Sequence, residues 1–227
     1  MKEELLKLFS DYLEDADYLD KQQQVMLMQL GMESEKLLSF WYECHKCMNQ
    51  LIEKAELKEY QLSFYSDDKC HFIWKDQELI LEQDSMKELI AHYIDIFEPI
   101  YPLGTVVELS MDFSKSLQLK NQNQKVKVVI LERFVSTATK EAYFPYVGIV
   151  YPVGMLGHGK CIQFTRELID SVVHMGYRDA MEDAYVLLMK KELIIDNNAV
   201  SFGFVEQSKV DEYREKIGGV YGGKEGN

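Results

Sequence analysis

A chain of 227 residues, 47% hydrophobic and 28% charged, has the composition of a folded protein large enough to bury a core. Its apolar runs stop short of the roughly 18 residues that a membrane-spanning helix needs. The formal net charge is −13, and an acidic surface repels phosphate backbones and anionic lipid, so nucleic acid and membrane are excluded as main partners.

The charge is uneven. Residues 1–98 carry 22 Asp/Glu against 10 Lys/Arg, a net of −12, whereas residues 99–227 carry 16 against 15. The acidic part suits a basic protein partner, although solubility alone also accounts for it. Met1-Lys2-Glu3-Glu4 leads straight into amphipathic sequence rather than an apolar signal segment. A cytoplasmic location is the expectation, and export without a cleaved signal stays open.

Taken in chain order, Leu5, Leu6, Phe9, Leu13 and Ala16 predict a helix over residues 3–16. Val25-Met26-Leu27-Met28 predicts another turn or two, ending near Gly31. Leu37, Leu38, Trp41, Cys44, His45, Met48, Leu51, Ile52 and Ala55 predict a long helix over residues 34–56. Cys44 lies on the apolar face of that helix, where a free thiol behaves as a small hydrophobe. With Cys47, Cys70 and Cys161, it reads as a reduced residue rather than a metal or redox centre. Residues 62–65, 72–74 and 79–81 read as short strands of a small hairpin. Ser85-Met86-Lys87-Glu88 reads as a capping box starting a helix that Pro99 and Pro102 end.

Beyond residue 98 the pattern becomes β-rich. Val126, Val128 and Ile130 alternate, and turn residues separate short strands up to residue 164. The expectation is a small, mostly antiparallel bent sheet or partly open barrel. Helices over residues 165–173, capped by Thr165, and 180–192, capped by Asp179 with Glu182 three residues on, should follow. A strand over 199–205, a helix over 208–217 and a Gly-rich end complete the pattern. The fold class is therefore α+β, in three regions: 1–98 acidic and helical with a hairpin, 99–192 β-rich, and 193–227 a C-terminal extension.

No catalytic constellation is visible: no Gly-x-Ser-x-Gly turn, phosphate-binding glycine loop or His-Glu-x-x-His helix. Asp11, Glu14, Asp15, Asp17 and Asp20 lack the glycine and terminal glutamate of a calcium loop. No catalytic residue, metal ligand or cofactor is assigned. An enzyme built from scattered residues such as His158, Cys161 and Glu167 remains an alternative. Tyr146, Tyr151 and Pro152, clustered along one strand, and His158, in a glycine-rich loop, are the candidate partner-binding residues. For the tyrosines the preferred reading is that Tyr146 and Tyr151 straddle a buried strand, with the prolines keeping its ends from pairing further.

Four segments carry a resemblance. They are Leu103-Gly104-Thr105-Val106-Val107, the strand Val126–Ile130, Tyr146-Val147-Gly148-Ile149-Val150-Tyr151-Pro152-Val153-Gly154, and the stretch leading to Gly176-Tyr177. Over roughly residues 100–192 the chain resembles a bacterial domain of unknown function, family 4176, found in Gram-positive bacteria beside type VII secretion and polymorphic-toxin genes. Residues 111–124 form an insertion relative to that pattern. The resemblance brings no catalytic residues. It implies a non-enzymatic accessory protein, an adaptor or chaperone whose partner is a secreted effector, a toxin or a secretion component. An immunity protein that neutralises a cognate toxin is the alternative. The oligomeric state is not readable from the sequence.

Overall fold

A computed structural model describes residues 1–50, 54–57, 60–64, 68–116, 124–155 and 161–205. They form two compact units. The first comprises Met1–Pro99 and Lys190–Asp196; the second comprises Ile100–Met189 and the chain from Asn197 onward. The class is α+β, with helices, a small antiparallel sheet and a larger sheet not closed into a barrel. Among the described residues no helix is long and apolar enough to cross a membrane.

In the first unit, α1 (Lys2–Asp15), α2 (Lys21–Met32) and α3 (Ser34–Asn49) precede a four-stranded antiparallel meander. Its strands are β1 (Lys54–Leu57), β2 (Tyr60–Phe64), β3 (Lys69–Trp74) and β4 (Gln77–Glu82), and α4 (Gln83–Phe97) follows. Asp20 starts α2 by accepting from the backbone N–H of Gln22 and Gln23 (both 2.8 Å), and the Gln23 side chain accepts from the Asp20 N–H. On β3, Cys70, Phe72 and Trp74 alternate inward. Phe72 meets Trp41 of α3 at 4.9 Å between ring centroids. Tyr93 of α4 lies edge-on to Phe9 of α1 at 5.2 Å, and its hydroxyl donates to the Leu30 carbonyl (2.9 Å).

Several expectations need correction here. The helix predicted to reach residue 56 ends at Asn49, and Lys54–Leu57 pairs with β2 instead, so the hairpin is a four-stranded sheet. The α4 helix begins two residues before Ser85, with Glu82 at its N-cap and no side-chain cap bond. Its start is set by the end of β4, where the Gln83 N–H donates to the Asp68 carbonyl.

The other end of α4 is closed from a distance. The last carbonyls of a helix have no intrahelical donor. Here the Lys190 ammonium, 2% exposed, donates to the carbonyls of Asp95 (2.7 Å), Ile96 (2.8 Å) and Glu98 (2.8 Å). A cation at a helix C-terminus also complements the macrodipole. Burial lowers the Lys190 pKa to about 8, while the carboxylates of Asp95 and Glu98 pull it upward.

In the second unit, β5 (Val106–Leu109) and α5 (Met111–Ser116) lead to the long strands β6 (Lys127–Ser136) and β7 (Ala142–Val150). Then come β8 (Ile162–Phe164), β9 (Ile169–His174), α6 (Ala180–Lys190) and β10 (Val200–Ser201). The sheet order is β10-β7-β6-β5-β9, with β8 also on β7. Every pairing is antiparallel except that of β10 with β7. The central strand β7 is buried from Ala142 to Gly148.

The helix predicted over 165–173 is absent. Arg166–Leu168 makes a single 3-10 turn and Ile169–His174 is an edge strand along β5; the Thr165 hydroxyl donates to the Glu167 carboxylate (3.1 Å) instead of capping a helix. The β-branched Ile169, Val172 and Val173 favour that extended state. The strand expected over 199–205 is limited to Val200–Ser201, after which Phe202–Phe204 forms a 3-10 turn. The insertion at 111–124 opens with α5. The helix expected over 208–217 and the Gly-rich end lie outside the described residues.

Two stability outcomes follow from the first unit. Replacing Lys190 with Ala removes the ammonium from three carbonyls at the end of α4 and should cost about 3 kcal/mol, read from urea unfolding midpoints. The half-buried His45 is held down to about 4, first by burial and then by repulsion from Lys87. The unfolded chain therefore takes up this proton near pH 6.5, and the folded chain only near pH 4. Stability should fall as pH drops through that window, by on the order of 2 kcal/mol at most. Unfolding midpoints of His45→Gln against the parent should show a shallower acid slope in the variant.

Candidate functional site

The second unit contains an open groove of about 610 Å³. It lies between the outer end of β6 and the first turns of α6, and three pieces of backbone build it.

The first is an interruption in β6. Ile130 pairs with Gly148 and Glu132 with Val147, so Leu131 is an extra residue in a β-bulge. A Cβ at position 148 would stand 2.4 Å from the Val129 carbonyl oxygen, so only glycine permits this approach. Beyond the bulge Phe134 has φ of +56°, in the left-handed region. Strict alternation is broken: Leu131 and Glu132 both face solvent, and Arg133 and Phe134 are both buried.

The second is α6. Asp179 caps it as the sequence predicts, its carboxylate accepting from the Glu182 N–H (2.9 Å). The Glu182 side chain is engaged elsewhere. It forms a bidentate ion pair with Arg133, in which Nη2 donates to Oε2 at 3.0 Å and Nη1 to Oε1. The Arg133 side chain is 3% exposed. Its guanidinium also lies 5.2 Å from the Tyr185 ring, and Phe134 meets that ring edge-on at 6.3 Å.

The third is a close approach of two loops. The Gly176 N–H donates to the Thr105 hydroxyl (3.0 Å), which donates to the Pro102 carbonyl (2.7 Å). A Cβ on residue 176 would fall 2.1 Å from the Leu103 carbonyl oxygen. Glycine there lets Leu103 and Tyr177 reach the same groove.

Apolar side chains therefore line the groove: Leu103, Leu131, Val135, Tyr177, Met181 and Tyr185. Tyr177 is 81% and Met181 80% exposed. Glu132, Asp179, Arg133 and Glu182 supply its polar wall.

The residues singled out from the sequence lie elsewhere. Tyr146 is fully buried, stacked between Tyr101 (5.9 Å) and Phe164 (5.4 Å), and its hydroxyl accepts from the Tyr101 N–H (3.2 Å). It offers no surface to a partner in this structure. Tyr151 and Pro152 are exposed after the end of β7 and are joined by a cis peptide bond. His158 lies outside the described residues. Of the alternative catalytic set, Cys161 is exposed and Glu167 accepts from Thr165. Cys44, Cys47 and Cys70 are buried, and burial pushes the Cys70 thiol up to about 11. Among the described residues no group of three or more His, Cys, Asp or Glu side chains is placed to hold a metal ion.

Sequence reading missed the groove residues. Met181, Tyr185 and Leu188 recur at helical spacing, which ordinarily marks a core face, yet all three are exposed. The bulge that turns Leu131 outward leaves no sequence signal beyond Gly148 opposite it.

A family model, Domain of unknown function (DUF4176), matches residues 100–185. That span contains every residue lining the groove. No curated protein and no solved structure matches the chain.

The Arg133–Glu182 pair has a measurable signature. Glu182→Ala strands a buried guanidinium and should cost about 3 kcal/mol. The double variant Arg133→Met/Glu182→Leu should recover most of that loss. Chemical denaturation of the three proteins checks the order; a double variant as unstable as Glu182→Ala contradicts the pairing account.

Proposed function

We propose that this chain is a non-enzymatic accessory protein that binds another protein through its second unit. The observation that carries the reading is the groove: large apolar side chains stand exposed on a rigid frame of strand, helix and glycine-dependent loop. Exposed apolar patches rimmed by polar groups commonly mark interaction sites, because covering them removes apolar area from water. Nothing in the groove resembles a nucleophile with its base, and its one cation is neutralised by Glu182.

The resemblance of Pro102–Tyr177 to a domain found beside type VII secretion genes supports a narrower form of the reading. In that form the chain is a cytoplasmic adaptor or chaperone, and its partner is a secreted effector or a secretion component. The first unit's acidic composition favours a second reading, an immunity protein that covers the basic substrate groove of a toxin.

The test is affinity capture of the tagged, full-length chain from its native host, with mass spectrometry of co-purifying proteins. Recovery of an effector or secretion component is the expected result, and capture of the chain alone overturns the binding reading. Co-expression with a recovered toxin then separates the two roles: an immunity protein restores growth, whereas a chaperone changes the effector's export.

A further inference from the structure

Resting on that binding reading, the geometry points to the chemistry of the segment the groove accepts: an amphipathic stretch of a partner protein, apolar along one side and flanked by Lys or Arg. The floor sets the first requirement. The side chains of Leu103, Leu131, Val135, Tyr177, Met181 and Tyr185 make this floor largely apolar. Met181 and Tyr185, one helical turn apart, present a ridge against which apolar residues at similar spacing interdigitate.

Charge sets the second requirement. Among the groove-lining residues and the stretch 177–185, the carboxylates are Glu132, Asp179, Glu182 and Asp183, and the cations are Arg133 and Arg178. Both cations are already engaged, Arg133 with Glu182 and Arg178 with Asp183 (2.7 Å). Two negative charges remain in excess, on the exposed Glu132 and Asp179 at the wall of the groove. A segment with acidic flanks meets like charge there, and an anionic membrane surface is repelled for the same reason. A segment with basic flanks finds both an apolar floor and an opposite charge.

The β9 edge is a poorer candidate for docking. Two register shifts break its pairing with β5, and such irregularity protects an edge strand from adding another strand.

The probe is a synthetic helix of Leu and Lys, about five turns long, with Leu on one face. It is titrated by fluorescence anisotropy against the full chain. Two controls accompany it: the same helix with Glu for every Lys, and the Lys helix with Ser for every Leu. The protein variants are Met181→Glu and Glu132→Lys, both at exposed positions, each first matched to the parent in unfolding midpoint. The expected result is that the Leu/Lys helix alone binds. Its affinity should fall at least about tenfold in Met181→Glu and several-fold in Glu132→Lys, with a weaker salt dependence in the latter.

Three results overturn the inference. They are equal binding of the Leu/Glu helix, no binding of the Leu/Lys helix, and Leu/Lys binding that Met181→Glu leaves unchanged. The last would assign adhesion to the acidic first unit. Capturing the host partner with the same variants separates this inference from the broader reading. A partner retained by Met181→Glu removes the groove but keeps protein binding, whereas loss of any partner with the parent chain removes both.

Discussion

The second unit depends on one ion pair. A guanidinium as covered as that of Arg133 needs its charge answered, and Glu182 answers it with a two-point contact through Nη1 and Nη2, while the buried Nε has no acceptor. The pair links residues 49 positions apart and fixes α6 over β6. Beside it, the first turns of that helix are held by the Asp179 cap, the Arg178–Asp183 ion pair and the packing of Tyr185 on Arg133 and Phe134. Val186 is buried, but Met181, Tyr185 and Leu188 are exposed. A polar clamp stands where an apolar seam would be expected, and the apolar side chains left out of packing line the groove.

The same logic explains the irregularities of β6. A regular strand would put Arg133 and Phe134 on opposite faces of the sheet. The bulge at Leu131 and the left-handed turn at Phe134 bury both, so the arginine meets Glu182 while Phe134 supports the Tyr185 ring. Strain of this kind persists where surrounding contacts overdetermine it. Gly148 and Gly176 supply the two close approaches on which the construction rests.

The first unit solves a different problem. Its aromatic core of Phe9, Trp41, Phe72 and Tyr93 is conventional. Its dependence on distant sequence is Lys190, which closes the end of α4 from nearly a hundred residues away. A net of −12 over residues 1–98 gives this unit a negative field, which on the proposed reading draws basic proteins without regard to their shape. On the proposed binding reading, selectivity falls to a surface with shape, the groove of the second unit.

Much of the fold was legible where periodicity and local chemistry agree. The apolar stripes of α1, α3 and α4, the alternation of Val128 and Ile130 at the start of β6 and the Asp179 cap of α6 each follow from neighbouring residues. Lys54–Leu57 was not legible, because Lys, Ala, Glu and Leu are all good helix formers and only pairing with β2 makes them a strand. Ile169–His174 likewise depends on β5. The site was less legible than the fold. Clustered aromatics made Tyr146 a candidate, and its burial follows the buried-strand reading instead, while the groove arises from a bulge, a long-range ion pair and a loop approach. None of these has a local sequence period. Glu182 was recognised as part of a cap, but its partner Arg133 could be found only in three dimensions.

Methyl NMR of the full chain carrying ¹³C-labelled methionine methyls, titrated with the Leu/Lys helix, tests the central claim most directly. Met181 lies in the groove, and Met32, 58% exposed on the acidic first unit, is an internal control. The account predicts that the Met181 methyl shifts in saturable fashion while Met32 stays in place. Movement of Met32 with Met181 unmoved would contradict it, because attraction to the acidic unit would then explain binding and the groove would have no part in it.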